Sequence, residues 1–353
     1  MIGPISLWSA WFIAAAGGAA WCTALLVPWT GALGVVDRPN ARSSHTKVTP
    51  RGGGLAIVAL TTIAAIGAGL LYPATAARLA AMVVPAVAIA AISWIDDVHT
   101  VKNRVRFSVH LAAAVAATAI LGPVRTADLG SFGRLDLGAA AWPLTILWIV
   151  GLTNAYNFMD GIDGIAGITA AAGGAGLAAA AWLLGGPAIA AVALAFSGTA
   201  LGFLSQNWPP ARIFMGDVGS AFCGFLIAVL PLGMPEADVP RLVPVAVLVM
   251  WPFVFDTLFT LVRRLRRGEN VFQAHRSHLY QRLVIAGWSH RATSSLYGSL
   301  TALAAAIAVT PLLNPALRDT SDRAAVAFVA VCSLALVCMT IVAERCRPST
   351  PAS

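Results

Sequence analysis

The chain has 353 residues, a formal net charge of +8 and only 11% charged residues, and its mean hydropathy is +0.79. A soluble domain of this length would carry about a quarter charged residues, so the composition excludes an ordinary soluble protein. Apolar stretches of about 20 residues recur along the whole sequence, as in spanning helices, whereas barrel strands are shorter and alternate. We therefore predict an all-α polytopic integral membrane protein.

The apolar stretches predict eleven spans within a single transmembrane domain that covers the whole chain. In chain order these spans are 5–30, 52–72, 76–94, 105–122, 139–156, 164–184, 187–204, 218–235, 241–262, 293–313 and 323–343. No Lys or Arg precedes the first span, which favours a membrane helix over a signal peptide. The glycine-rich spans 52–72 and 164–184 predict close helix packing.

Lys and Arg are distributed unevenly between the two sets of loops. If the loop after the first span is cytoplasmic, the cytoplasmic loops and C-terminal tail hold 17 of the 23 basic residues, and the other side holds 6. The positive-inside rule then places the N-terminus outside and the C-terminus in the cytoplasm. This asymmetry accounts for the net charge without a nucleic-acid partner, and the basic face would attract anionic substrates and membrane lipids.

The first cytoplasmic loop reads DRPNARSSHTKVTPRGGG, residues 37–54. Its prolines and its three closing glycines predict an irregular loop that ends against a helix. The basic side chains of this loop form a cationic surface, in which His45 and Arg51 are candidate substrate-binding residues.

An aspartate pair follows the third span in SWIDDVHTVKN, residues 93–103. Neighbouring residues of a helix point about 100° apart, so Asp96 and Asp97 cannot face one ligand equally. We expect one of them to face a site and the other to orient it or to bind Lys102. The alternative is a solvated helix end, although acids at a helix C-terminus oppose the macrodipole.

Polar residues recur at every third position in GLTNAYNFMDGIDGIAG, residues 151–167. These residues are Asn154, Asn157, Asp160 and Asp163. The spacing nearly aligns side chains on one helical face. Gly161 and Gly164 predict a break in the helix, and glycine also allows a phosphate to approach the backbone. The result is a polar ridge that we expect to bind substrate; a capped re-entrant turn is the alternative.

The stretch RIFMGDVGSAFCG, residues 212–224, places Asp217 where an apolar helix begins. Aspartate is a common N-cap residue, so the position alone is explained by helix capping. The flanking Gly216 and Gly219, with Ser220 in the first turn, also fit a metal or phosphate site.

The longest loop contains QAHRSHLYQRL, residues 273–283, with His275, Arg276 and His278. A zinc site usually spaces helical histidines four apart and adds Cys or acid ligands, which are absent from QAHRSHLYQRL. Imidazole and guanidinium groups instead suit an anionic substrate. The preceding RRLRRGE, residues 263–269, is typical of a positive-inside anchor.

Five acids come from three helix ends on the cytoplasmic side, each flanked by apolar residues. These acids are Asp96, Asp97, Asp160, Asp163 and Asp217. Burying ionised carboxylates at a membrane boundary is costly unless they are paired or metal-bound. Because cations are scarce near them in the sequence, we predict a shared divalent metal.

Taken together, the motifs resemble those of the polyprenyl-phosphate N-acetylhexosamine-1-phosphate transferases, whose superfamily includes phospho-N-acetylmuramoyl-pentapeptide transferase. In the family's order, and within residues 37–292, they are DRPNARSSHTKVTPRGGG, WIDD, NAYNFMDGIDG, FMGDVGS and AHRSHLYQRL. The resemblance implies a bacterial inner-membrane enzyme of ten or eleven helices with a cytoplasmic active site. Such enzymes use Mg²⁺, with Mn²⁺ as an alternative, to move a sugar-1-phosphate from a UDP-N-acetylhexosamine to a polyprenyl phosphate such as undecaprenyl phosphate, with release of UMP.

The resemblance also implies roles for single residues. Asp96 and Asp97 match the paired aspartates that activate the lipid phosphate. Asp217 matches a metal-binding aspartate. His278, with His275, matches a histidine motif near the nucleotide-sugar.

The stretch NAYNFMDGIDG matches the family's Asn-x-x-Asp-Gly-x-Asp-Gly site through Asn157, Asp160 and Asp163. The sequence departs from the family pattern in two places. AHRSH replaces the consecutive histidines of the peptidoglycan branch, which favours an enzyme that starts O-antigen or another surface polysaccharide. The base that usually follows the aspartate pair is delayed to Lys102, so the role of Lys102 is open.

Several alternatives stay open on the sequence alone. The peptidoglycan enzyme is one, and an ion-coupled transporter of an anionic substrate is another. A transporter would carry ionisable groups near the bilayer midplane and often internal repeats, neither of which the spans show. The identity of the sugar, a one-step or a covalent route, and a monomer or a homodimer are also open.

Overall fold

The computed structural model describes residues 4–39, 47–270, 273 and 275–346. This part of the chain forms thirteen α-helices, in agreement with the helical membrane fold. In chain order these are α1 Pro4–Ala32, α2 Gly54–Leu71, α3 Ala76–Val98, α4 Asn103–Leu121, α5 Ala141–Met159, α6 Ile165–Leu183, α7 Pro187–Asn207, α8 Asp217–Val229, α9 Val239–Val249, α10 Trp251–Arg266, α11 Leu279–Ile285, α12 His290–Leu313 and α13 Arg318–Arg345.

Two short antiparallel ribbons add to the helices. β1 (Val36–Asp37) pairs with β2 (Thr49–Pro50), and β3 (Thr126–Asp128) pairs with β4 (Arg134–Asp136). The predicted irregular first loop therefore contains a ribbon on the stretches that flank its undescribed centre. His45, a predicted substrate-binding residue, lies outside the described residues.

Nine helices of the described chain are long and apolar enough to cross a membrane. The bent pair α9 and α10, which meet at 64°, would add a tenth. The remaining predicted span, 218–235, corresponds to the shorter apolar stretch Asp217–Gly233, where α8 gives way to a 3₁₀ turn that contains Pro231. The protein is a multi-pass membrane protein, and proline accounts for the shortened and bent segments because it cannot continue a regular helical hydrogen-bond ladder.

The helices differ in how far they are buried by the rest of the chain. In α7, 83% of the apolar 18-residue stretch is buried, whereas the corresponding share is 11% in α1 and 22% in Pro315–Arg345. Helix α7 therefore lies in the centre of the bundle, and α1 and α13 present apolar side chains outward, as helices that face lipid do.

Glycine permits the closest approach between backbones in the bundle. The N–H groups of Gly53 and Gly54 donate to the carbonyls of Phe214 (2.9 Å) and Met215 (2.9 Å). A Cβ atom on Gly54 would overlap the backbone of Gly219 in the first turn of α8. The start of α2 is thus fixed against the start of α8, as the close packing predicted for the glycine-rich second span requires.

We expect Gly54→Ala to destabilise the protein by about 1–3 kcal/mol, because the added methyl group would force two backbones apart. Gly17→Ala is the matched control, since nothing lies within 4 Å of a Cβ built on this α1 glycine. Thermal unfolding of the two variants in detergent measures the difference. Equal melting temperatures for the two variants would contradict the close contact.

Candidate functional site

Four of the five motifs meet in one polar cavity of about 130 Å³, which lies where α3 and α5 end and α8 and α12 begin. Its ionisable lining residues are Asp37, Arg51, Asp97, Asp160, Asp163, Asp217 and His290. A second cavity of about 590 Å³ lies at the opposite end of the bundle, between α9, α12 and α13. Its lining is mostly apolar, so the smaller cavity is the candidate for charged substrates.

Asp97 joins the end of α3 to the beginning of α8. Its carboxylate accepts the backbone N–H groups of Asp217 (3.1 Å) and Val218 (3.0 Å), and only 1% of its side chain is exposed. These N–H groups have no partner within α8, so Asp97 caps that helix from another part of the chain. Gly216 is the N-cap residue. Its φ is +76°, and a Cβ atom at this position would overlap the carboxylate of Asp97. Asp217 therefore begins the helix and leaves its own side chain for other partners.

Arg106 of α4 binds the two neighbouring acids. Its Nη1 lies 2.5 Å from Asp96 Oδ2, and its Nη2 lies 2.5 Å from Asp217 Oδ2. Asp96 also accepts the backbone N–H of Val101 (2.7 Å). Asp96 therefore faces the α3–α4 turn and Asp97 the cavity, which agrees with the predicted divergence of the pair. The alternative in which Asp96 binds Lys102 was wrong, because Arg106, one turn further along, binds Asp96 together with Asp217.

Arg51 enters the cavity from the first loop. Its position is set by the bridge between Arg51 and Phe214 and by the hydrogen bond from Phe214 N to Pro50 O (2.9 Å). Its guanidinium lies 2.9 Å from Asp37 and 3.9 Å from Asp97. Burial opposes the charged form, but the hydrogen bond and charge of Asp37, together with the charges of Asp97 and Asp217, outweigh it and raise the pKa of Arg51. The argument that cations are scarce near the acids was therefore wrong in space, although it holds along the sequence.

Asp160 lies in the break between α5 and α6 and accepts no hydrogen bond from any residue that the structure describes. Burial, with the nearby carboxylates of Asp217 and Asp97, raises the pKa of Asp160 to about 8. Near neutral pH this carboxyl group therefore mostly keeps its proton, and its ionised form needs a nearby cation or hydrogen-bond donor.

Asp163 ties three segments together at the other side of the cavity. Its Oδ2 accepts the Ala211 N–H (3.0 Å), its Oδ1 lies 3.4 Å from His290 Nδ1, and its carbonyl accepts a hydrogen bond from Ser294 Oγ (2.7 Å).

The following Gly164 has φ of +80° and donates its N–H to Asn207 Oδ1 (2.9 Å). The predicted break at the glycines is confirmed, since α5 ends at Met159 and α6 begins at Ile165.

The two asparagines lie on α5, deeper in the bundle. Asn157 donates to Ser220 Oγ (2.9 Å) of α8. Asn154 donates to the Val150 carbonyl (2.7 Å), one turn below. Neither asparagine side chain lines the cavity. Within the predicted polar ridge, Asp160 and Asp163 form part of the cavity wall, and the asparagines lie behind that wall.

The predicted histidine residues lie beside the cavity, not in its wall. His275 contacts Ser277 Oγ (2.9 Å), and burial, then the charge of His278, lower the pKa of His275 to about 4. His278 is nearly buried and contacts Asp256 Oδ1 (3.2 Å). Arg276 begins no helix and lies in the turn that precedes α11.

Sequence reasoning missed Arg106, His290 and Asp256. The signal for Asp256 was present, since it is the lone acid of the apolar stretch WPFVFDTLFT. Arg106 and His290 carried no such signal, because each lies in an ordinary-looking helix start and becomes part of the site only through packing.

Comparison with known proteins places this chain in a family. The model for glycosyl transferase family 4 matches residues 79–234. The probable undecaprenyl-phosphate N-acetylglucosaminyl 1-phosphate transferase of Bacillus subtilis is 35% identical over 264 residues, which cover 73% of this chain and 72% of that protein. The chain belongs to the polyprenyl-phosphate sugar-1-phosphate transferase family.

Other members of the transferase family and its superfamily are also similar. The undecaprenyl-phosphate alpha-N-acetylglucosaminyl 1-phosphate transferase of Salmonella typhi is 27% identical, with 79% of this chain and 77% of that protein covered. The phospho-N-acetylmuramoyl-pentapeptide-transferase of a Synechococcus species is 29% identical, with 76% and 81% covered. The family match therefore reaches from sugar transferases to the peptidoglycan branch.

The oxygen ligands of the cavity fit Mg²⁺ when a substrate adds its phosphates. The described residues contain no cluster of three His, Cys, Asp or Glu side chains that could hold a metal ion alone. Magnesium typically takes one or two carboxylates and completes its shell with water and substrate phosphates. Asp217, which is partly exposed, and Asp160, which lacks a donor, suit that requirement.

In the absence of divalent cations, we expect the free energy of unfolding to fall as the pH rises from about 5 to about 8. The pKa of Asp160 is about 8 in the folded protein and about 3.9 in an unfolded chain, so the folded state binds the extra proton and loses that advantage with rising pH. Mg²⁺ should restore more stability at the higher pH, because it binds the deprotonated carboxylates.

Thermal unfolding in EDTA and in Mg²⁺ at the two pH values tests this. Asp160→Asn lacks the titrating group and should show a weaker pH dependence in EDTA. A pH dependence equal to that of the wild type would contradict the role of Asp160.

Proposed function

We propose that this enzyme transfers an N-acetylhexosamine-1-phosphate from its UDP derivative to a polyprenyl phosphate and releases UMP. The observation that carries the proposal is the convergence of Asp97, Asp160 and Asp217 with Arg51 and Arg106 at one end of a membrane bundle. Similar proteins carry names that describe this reaction with N-acetylglucosamine. The reaction has two anionic substrates, which require both cations and metal-binding oxygens, and the site contains groups of both kinds.

In the reaction, a phosphate oxygen of the lipid forms a bond to the phosphorus that carries the sugar. The bond from that phosphorus to its bridging oxygen breaks, and the oxygen leaves as part of UMP. Phosphoryl transfer depends mainly on positioning and on neutralising charge. A bound Mg²⁺ would polarise the phosphoryl oxygens and offset their charge.

The chain's own residues supply the rest. Asp97 is the member of the aspartate pair that lines the cavity, so we assign it to the proton of the lipid phosphate, with Asp96 holding Arg106. Arg106 and Arg51 face the diphosphate, because guanidinium groups form paired hydrogen bonds with phosphate oxygens. Both oxygens of Asp97 accept backbone N–H groups, which favours direct transfer over attack by this carboxylate on the substrate.

Synthesis of peptidoglycan precursor is the second candidate, because a phospho-N-acetylmuramoyl-pentapeptide-transferase is among the similar proteins. The single His–Arg–Ser–His segment favours the branch that starts O-antigen or other surface polysaccharides. Purified protein, undecaprenyl phosphate and a panel of UDP-sugars decide between them. UMP release only with UDP-N-acetylmuramoyl-pentapeptide would select the peptidoglycan reaction, and no release with any donor would overturn both.

We expect Asp217→Asn to lower UMP release by at least about a hundredfold, or roughly 2.7 kcal/mol of transition-state stabilisation. The substitution removes a charged ligand with little change in volume. Asp238→Asn is the matched control, because Asp238 precedes α9 at the other end of the bundle and pairs with Arg241 at 3.5 Å. Near-normal activity of Asp217→Asn at low Mg²⁺ would refute its role as a metal ligand.

We also propose that the enzyme lies in a bacterial inner membrane with the cavity on the cytoplasmic side. The charge asymmetry of the loops supports this orientation. In a cysteine-free background, an impermeant thiol reagent added to intact cells should label Ser131→Cys, beside the β3–β4 ribbon, and spare Asn103→Cys at the start of α4. The reverse labelling pattern would place the cavity outside.

A further inference from the structure

Asp256 is the most completely satisfied acid in the apolar part of the bundle. It lies in α10, one and a half turns past the 64° bend with α9, and its side chain is fully buried. Its five hydrogen-bond partners are Thr260 Oγ1 (3.3 Å), His278 Nδ1 (3.2 Å), Leu279 N (2.8 Å), Tyr280 N (3.0 Å) and Tyr297 Oη (2.7 Å). A buried carboxylate with this many partners holds the side chains and backbone groups that it binds in fixed positions.

The contact with Asp256 determines the form of the His278 ring. Backbone N–H groups can only donate, so they require the carboxylate to accept, and an ionised carboxylate has no proton to donate to His278. His278 Nδ1 must therefore carry the proton that is shared with Asp256. The second ring nitrogen, Nε2, is then the atom left to meet another partner.

The same carboxylate sets the place of α11 beside the cavity. Leu279 and Tyr280 begin α11, and their N–H groups end on the two oxygens of Asp256. Tyr280 Oη donates to the carbonyl of Phe158 (3.1 Å), in the last turn of α5. A Cβ on Gly161, in the cavity wall, would overlap that hydroxyl. The ring of His278 lies 6.5 Å from the ring of Phe158, so Asp256, His278 and the loop that carries Asp160 form one packed unit.

We propose that Asp256 is a positioning residue, which holds His278 so that its Nε2 meets the anionic sugar-diphosphate in the cavity. The proposal rests on the transfer reaction proposed above. A competing explanation is that Asp256 only secures α11 as a structural cap. The two explanations differ in whether the effect of Asp256 passes through His278.

Kinetics of UMP release in single and double variants separate them. Asp256→Asn keeps the size of the side chain and removes its charge, and should lower kcat/KM for the UDP-sugar about ten- to a hundredfold, as expected for a lost charge-assisted hydrogen bond. His278→Ala should do the same. The double variant should be no worse than His278→Ala, because Asp256 would act through a ring that is already gone.

Tyr297→Phe is the matched control. It removes one of the five hydrogen bonds to Asp256 and leaves the His278 contact, so it should lower the melting temperature with kcat/KM within about threefold of wild type. Losses that multiply in the Asp256→Asn, His278→Ala double variant would show that Asp256 acts independently of His278, and would overturn the proposal. A loss for Tyr297→Phe as large as for Asp256→Asn would do the same.

A second readout does not depend on activity. In protein labelled with ¹⁵N-histidine, the His278 signals, identified by their absence in His278→Ala, should show a protonated Nδ1 in wild type and a changed pattern in Asp256→Asn. An unchanged pattern would overturn the positioning role. If wild-type protein releases no UMP from any donor while this pattern is observed, the proposed reaction has failed and the Asp256–His278 contact stands.

Discussion

The site depends on the contact between the Asp97 carboxylate and the first N–H groups of α8. Helix α8 begins beside the cavity with N–H donors that have no partner within the helix. Asp97, from the end of α3, satisfies two of them and is buried in doing so. Gly216 leaves the space that this contact needs, and Gly54 and Gly219 allow the start of α2 to pack beside it against α8. Through α8 the contact also fixes Asp217, so one hydrogen-bonded junction places acids from two distant motifs in one wall.

Charge neutralisation in the cavity is a property of the fold, not of the local sequence. The five acids at the helix ends have few Lys or Arg residues close to them in the sequence, which therefore favoured a metal. Packing adds Arg106 from the next helix and Arg51 from the first loop, and these reach Asp96, Asp217 and Asp37. In the proposed reaction a metal would offset the charge of the two anionic substrates, while Arg51 and Arg106 already pair with three of the acids in the folded protein.

Much of the fold and part of the site followed from the sequence because the relevant signals are local. Apolar stretches located the helices, and paired glycines located the break between α5 and α6. Helix geometry required Asp96 and Asp97 to diverge, as they do. What the sequence did not reveal were pairings between elements: Asp96 binds Arg106 and not Lys102, and His278 contacts Asp256. Such contacts depend on helix rotation and crossing, which no short stretch of sequence records.

The acids in and beside the site differ in their hydrogen-bond partners, and this difference indicates the role of each acid. Asp97, Asp163 and Asp256 accept backbone N–H groups, so each holds a helix start or loop that would otherwise keep a buried donor unpaired. Asp217 instead pairs with the side chain of Arg106, which can turn toward a phosphate without unmaking any backbone hydrogen bond. Asp160 has no donor to give up within the described residues. The acids that can change partners are thus the ones suited to a metal and its substrate, while Asp163 and Asp256 hold the surrounding structure. Asp97 combines the two roles in the proposed reaction, since it caps α8 and lines the cavity.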